Sequence, residues 1–497
     1  MLISLDDNKN SYGQILKATS LFGGVKIFNI LISIIKTKLV TILIGASGFG
    51  ILALFNSTIN MLVNFTKLGL DTSAVKEISQ RNHDSLKVNE FIGVLNRVIW
   101  ISGILGGVIT ILFSKSLSIW TFGTATYKFA FVWLSVAILF NQLANGKMTI
   151  LQGTRQLKKL AKANVLGSFL SLVFTVPLYY FLGTEGIVPA VIVSFVVIYI
   201  VLHFYSKDKT YSTEALGIKK LFKESKSMLT LGLTMSYSSL LAALVAWVIQ
   251  IYIRNEGGVQ EVGFYNAGFL IINAYVGMVF SAMATDYFPR LSEVHSNTDL
   301  INSVVSKQAD VAMLLITPII TLFLLFRELI IHVLFTKEFI VVIGMMTYGI
   351  IGMLFKAFSF SMGYVIIARG DSKLYVKTAS LFNLLMLIIC LAFYSYGGLT
   401  WLGAGLMVYY LIHLLGIAVV TKYFYGLQLF SKVYKTFIVC LLLSILALIC
   451  TFISNSTISI LLGALITISS VLFTLLMFNK RMNIKGVLLK FLKKKNN

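Results

Sequence analysis

Four polar side chains share one face of the first apolar stretch of this sequence: Lys26, Asn29, Ser33 and Lys36. At roughly 100° per residue, this spacing keeps all four within an arc of about 80° on a helix. Lys38 falls on the opposite side, where its stem can snorkel outward or pack on a neighbour. The stripe offers two ammonium groups, an amide and a hydroxyl in apolar surroundings. A lysine near a bilayer centre costs roughly 2.5–3.5 kcal/mol on insertion scales. One that is kept there calls for a water-filled cavity or an anionic guest.

Three further residues join the stripe as candidates for substrate binding. Lys356 lies in the middle of the run 341–366, on a face with Tyr348, Gly352, Ser359 and Gly363. Arg97 lies early in the run 91–113, and His413 lies mid-way along 402–420. Carboxylates do not reach these depths. Nearly all of the 19 Asp+Glu fall in loops or at span ends, Asp310 being the deepest. No acid is therefore placed to pair with Lys36 or Lys356, or to relay protons or sodium in the usual way. There is no GxxxxGK[ST] loop, nucleophile, catalytic dyad or metal cluster, and "GASGFG" (45–50) reads as a turn between spans. The expectation is a protein that is not an enzyme, with no cofactor and no metal. Its ligand carries concentrated negative charge, because ammonium groups bind phosphate as point charges.

The elements that must position these residues follow from composition. The chain has 497 residues, 57% of them hydrophobic and 12% charged, with only 4 prolines. Soluble domains are nearer 25% charged. A run of about 20 apolar residues can cross a bilayer as one helix. These runs do not alternate as barrel strands do, so the fold class is an all-α polytopic membrane protein. Fourteen transmembrane helices are expected, near 18–41, 49–68, 91–113, 128–147, 163–182, 187–205, 228–252, 263–285, 305–326, 341–366, 378–396, 402–420, 434–453 and 457–478. Cys390, Cys440 and Cys450 all lie in apolar runs and read as small buried hydrophobes. The start "MLISLDDNKN" lacks a secretory signal, so the first span is expected to be retained.

Placing both termini in the cytoplasm leaves the outer connections with only Lys115, Lys128, Arg254, Arg327 and Lys337, and gathers most of the 42 Lys+Arg inside. The net charge of +23 is thus a matter of topology and of attraction to anionic lipid heads. Nucleic acid is not an expected partner, since no recognition fold accompanies the charge.

The two halves of the sequence overlay with a shift of about 213–217 residues. "FSKSLSIWTFGTATY" (113–127) follows the pattern of "FRELIIHVLFTKEFI" (326–340), and "LQGTRQLKKLAKA" (151–163) that of "IARGDSKLYVKTA" (367–379). Helices 1–6 therefore repeat as helices 7–12, entering from the same side, as parallel repeats do. The expected domains are an N-lobe (1–206), a cytoplasmic linker (207–226), a C-lobe (227–422), and a last pair of helices with a basic tail (423–497). Two pseudo-symmetric six-helix lobes and two extra helices around a central cationic cavity are a device for alternating access.

This arrangement, the "GFGILAL" start of helix 2 (48–54), the loop "QGTRQLKKLAKAN" and the basic tail resemble the bacterial O-antigen translocases. These form the polysaccharide transporter branch of the multidrug/oligosaccharidyl-lipid/polysaccharide exporter superfamily. In related lipid-linked precursor flippases, a basic residue of the first helix lies in the central cavity, nine residues before a glycine. Lys36 stands at that spacing from Gly45. Helices 2 and 8 carry no match to the other cavity arginines, which speaks against a peptidoglycan precursor. The resemblance implies a flippase for an anionic, undecaprenyl-diphosphate-linked oligosaccharide, moving it to the periplasmic leaflet of the bacterial inner membrane. Membrane lipids, a polysaccharide polymerase and a chain-length regulator are the implied partners. The alternative is a multidrug antiporter of the same fold exporting organic cations, which would favour carboxylates in the lobes.

Overall fold

Inside a bilayer an apolar run can satisfy its own N–H and C=O groups as a helix, and every regular element among the described residues is helical. The structure, a computed structural model, describes residues 5–67, 69–80, 85–206, 218–294 and 296–482. Linker residues 207–217 and the basic tail 483–497 lie outside the described residues. So do the side chains of residues 5–27, Lys26 among them.

The elements are α1 (Leu5–Lys67), α2 (Leu70–Gln80), α3 (Ser85–Leu112), α4 (Ser114–Phe122), α5 (Lys128–Gly153), α6 (Leu157–Leu182), α7 (Ile187–Ser206), α8 (Ile218–Phe269), α9 (Met278–Glu293), α10 (Thr298–Leu325), α11 (Arg327–Leu334), α12 (Val342–Ala368), α13 (Ser372–Tyr425), α14 (Ser431–Cys450) and α15 (Ser456–Met482). A π-helical turn, Leu270–Val276, lies between α8 and α9. Among the described residues, 10 helical stretches are long and apolar enough to cross a membrane. Four of them hold an interior break, at Gly45, Gly183–Gly186, Gly258 and Gly397–Gly398. Large apolar side chains on these helices face outward, Phe181 at 78% exposure for instance, as lipid contact requires. The chain is a multi-pass membrane protein.

Several expected loops are shorter than the sequence suggests. The turn at "GASGFG" contracts to Gly45 alone, with φ 64° and ψ −174°. Gly258, 213 residues on, repeats this geometry at φ 83° and ψ 178°. That region of backbone space is essentially open to glycine only, so one residue turns the chain where another type would need a loop. Expected loops also become helices. The stretches 113–127 and 326–340 contain α4 and α11 at the same offset, and the basic run from Leu157 forms the start of α6.

The chain divides into two compact units, Met1–Gly263 with Leu334–Thr336, and Phe264–Val333 with Lys337–Asn497. In the first, α1 packs on α6, α6 on α7, and α5 on both α3 and α7. Its interior includes Ile78, Phe91, Ile92, Leu95 and Ile150. Phe55, Phe122, Tyr127 and Phe131 stack together and seat α4. The two glycine-broken segments of this unit touch backbone to backbone. A Cβ on Gly50 would collide with the carbonyl of Val259, and one on Gly263 with that of Ala46. In the second unit α12 packs along α13, and α10 packs against α12, α14 and α15.

Candidate functional site

In the first unit, Lys36 projects from α1 toward α6 and α7. Its Nζ donates to Ser171 Oγ at 3.5 Å, and that hydroxyl shares a 2.7 Å hydrogen bond with Ser194 Oγ. Thr175, one turn further along α6, directs its hydroxyl to the Ser171 carbonyl at 2.7 Å and leaves the ammonium alone. An ammonium has three donors. Among the described residues, Lys36 finds one acceptor, at the outer limit of hydrogen bonding, and no carboxylate.

The rest of the stripe follows α1. Ser33 and Asn29 are half-buried, and Asn29 Oδ1 is sealed from solvent without a hydrogen-bond partner among the described residues. The side chain of Lys26 lies outside the described residues. Lys38 points away from the stripe and donates to the carbonyl of Phe335, so it is packed on a neighbour rather than turned to lipid. Arg97 is half-buried on α3 and is not among the partners of Lys36.

The second unit builds a denser setting around Lys356 of α12. Its Nζ donates to Asn273 Oδ1 at 2.9 Å and to Tyr410 Oη at 3.3 Å, while Tyr410 donates to the same Asn273 oxygen at 3.1 Å. Two aromatic faces complete the shell, Tyr410 at 5.1 Å and Phe280 at 5.7 Å from the ammonium. These distances suit cation–π attraction. Asn273 lies in the π-helical turn, an element often found at functional positions. Gly352, one turn before Lys356, makes room for Tyr410, since a Cβ there would lie 2.9 Å from its ring. His413 follows Tyr410 by one turn of α13. It packs on Phe382 with ring centroids 4.4 Å apart, and its Nδ1 is buried without a partner among the described residues.

The seven candidates thus do not form one described cluster. Asn29, Ser33 and Lys36 belong to the first unit, as does Arg97 on α3. Lys356 and His413 lie in the second, where Tyr409 packs both on His413 and on Tyr410, the partner of Lys356. Ser171, Ser194, Asn273 and Tyr410 were not singled out by sequence. For Asn273 a signal existed, as the amide in the otherwise apolar "FLIINAYVG". Tyr410 shares a face with His413, three residues on. Ser171 and Ser194 carry no such mark.

A family model described as polysaccharide biosynthesis protein matches residues 22–344. Curated relatives include the Lipid III flippases of Escherichia coli (strain K12) and Shigella flexneri. Each is 21% identical over 363 residues, covering 70% of this chain and 84% of the relative. Among solved structures, Lipid II flippase MurJ in an inward closed conformation superposes with a TM-score of 0.65 at 14% identity, over 94% of this chain and 99% of that one. An inward-facing multidrug resistance MATE family transporter of the MOP superfamily gives a TM-score of 0.67 at 14% identity, over 83% of this chain and 95% of that one. The fold is common to both.

Proposed function

The chain belongs to the polysaccharide biosynthesis protein family, and from that premise we propose that it is a flippase for a lipid-linked oligosaccharide. The substrate is an undecaprenyl-diphosphate-linked repeat unit of O-antigen type, carried from the cytoplasmic to the periplasmic leaflet of a bacterial inner membrane. Both termini are cytoplasmic and the chain crosses the bilayer fourteen times. The lobes 1–206 and 227–422 are the moving bodies of an alternating-access cycle, with a cationic cavity as the substrate's passage. A polysaccharide polymerase and a chain-length regulator receive the product.

The observation that carries this reading is Lys36, an ammonium within a membrane-spanning helix whose described partner is a single hydroxyl at 3.5 Å. A diphosphate offers what it lacks, a set of anionic oxygens without the desolvation of a fixed carboxylate. Lys356 is the second cation, and its neutral cluster must loosen before it can reach a phosphate. Outward movement of negative charge is also favoured by the membrane potential, by about 2.3 kcal/mol per charge for each 100 mV. The flippase relatives support the substrate class. The MATE neighbours keep one rival in play, an antiporter for organic cations, which these lysines would repel.

The test is reconstitution of the purified protein in vesicles loaded with an undecaprenyl-diphosphate-linked oligosaccharide. Its arrival in the far leaflet is read with a membrane-impermeant glycosidase. Transfer that depends on the protein is expected, together with unchanged ethidium resistance in cells. Ethidium export without oligosaccharide transfer would assign the chain to the antiporters instead.

A further inference from the structure

The second unit carries a cleft of about 490 Å³ where the ends of α10 and α14 meet the start of α15. Its polar lining comes from Arg327 and Glu328 of α11, Ser454 of the turn after α14, and Ser456 and Ser459 of α15. Leu325 and Gly463 are among its apolar surfaces, and a Cβ on Gly463 would press on Leu325 at 2.9 Å. The volume lies within the range of small-ligand sites. In the proposed topology this is the outer end of the three helices, and Arg327 is one of the few basic residues there. None of the side chains that meet Lys36 or Lys356 lines it.

The Arg327 guanidinium commits two donors to the fold. They go to the carbonyls of Leu324 at 3.5 Å and Thr451 at 3.3 Å, at the ends of α10 and α14, where helix carbonyls lack partners of their own. Its other N–H groups remain available. Glu328, the next residue, is exposed, and its carboxylate has no hydrogen bond or ion pair among the described residues. The two charges therefore line one cleft without closing on each other. Ser459 donates to the Cys450 carbonyl at 2.7 Å and keeps its lone pairs, while the hydroxyls of Ser454 and Ser456 are exposed. Phe326 adds a ring that is 44% exposed. The cleft thus offers donors, acceptors and apolar surface with no net charge.

Resting on the flippase reading, we propose that this cleft binds the sugar portion of the lipid-linked product once it stands in the outer leaflet. Each hydroxyl of a pyranose is both donor and acceptor, which suits a guanidinium, a carboxylate and serine hydroxyls set side by side. Burying the C–H face of the ring against Phe326 and Leu325 removes apolar surface from water. A phosphate would meet the carboxylate beside the guanidinium, and an organic cation would meet the guanidinium beside the carboxylate. The last two helices, which lie outside the repeat, supply much of the wall, so the site gives them a role that the six-helix halves do not provide.

Saturation-transfer NMR on the full chain in a sugar-free detergent tests this, with cellobiose, lactose, diacetylchitobiose and cellobiouronic acid as probes and glycerol phosphate as competitor. Transfer to at least one disaccharide is expected. Glu328→Gln is expected to weaken its binding about tenfold, the worth of one hydrogen bond to a charged group. Ser456→Trp, which fills the cleft from an exposed position, should abolish it. Both variants replace exposed side chains and should melt at the wild-type temperature. Absence of transfer to all four disaccharides, wild-type binding in both variants, or displacement by glycerol phosphate would each overturn the proposal. If any of these came while vesicles still flipped the lipid-linked oligosaccharide, the cleft would fall and the flippase reading would stand. Disaccharide binding that both variants lost, in a chain that flipped no lipid, would keep the sugar site and remove the flippase reading with its lipid-linked ligand.

Discussion

Lys36 meets one hydroxyl at 3.5 Å, while Lys356 is held at 2.9 and 3.3 Å by two oxygens and lies against two aromatic rings. The side chain and the apolar setting are the same, yet the commitment of the ammonium differs. A buried charge is tolerable when neighbours satisfy its donors. Asn273 and Tyr410 do this for Lys356 and in doing so tie α12 and α13 to the π-helical turn. Lys36 is left with donors to spare. The difference separates a cation tied into its own unit from one with donors to spare.

The strongest way to break that contrast is to remove the best acceptor of Lys356. Asn273→Leu leaves the ammonium with a phenol alone, and is expected to cost about 3 kcal/mol in detergent unfolding. The double variant Asn273→Leu/Lys356→Met should recover most of the loss, since it removes the stranded charge. Additive effects would mean that the two side chains do not act as a unit. A smaller loss, about 2 kcal/mol from overpacking, is expected for Gly352→Ala, whose new methyl meets the Tyr410 ring. An unchanged melting temperature would show that Tyr410 is free to move aside. The smallest effect belongs to the other lysine. Ser171→Ala removes the one described partner of Lys36 and should cost only about 0.5–1 kcal/mol. A loss as large as that of Asn273→Leu would erase the distinction between the two sites.

Much of the architecture was legible in the sequence because lipid imposes simple rules. Apolar runs of bilayer length must be helical, and the repeat shows again in Gly45 and Gly258, which share an offset of 213 residues and nearly the same backbone angles. What sequence overstated was the length of connections, since a glycine in a region closed to other residues can replace a loop. The stripe Asn29, Ser33 and Lys36 could be read from periodicity alone. The unequal settings of Lys36 and Lys356 could not, because they depend on partners 135 and 83 residues away in sequence. Hydroxyls such as Ser171 are too common in membrane helices to mark themselves, and nothing local tells a satisfied lysine from an unsatisfied one.

In the proposed cycle the charge of Lys36 receives the diphosphate. The most direct test compares wild type, Lys36→Arg and Lys36→Ala, matched for expression, in the vesicle assay with lipid-linked oligosaccharide. Loss of a charge-assisted contact predicts about a ten- to hundredfold slower transfer for Lys36→Ala, with most activity kept in Lys36→Arg. Transfer by Lys36→Ala at the wild-type rate would show that the diphosphate does not depend on this ammonium.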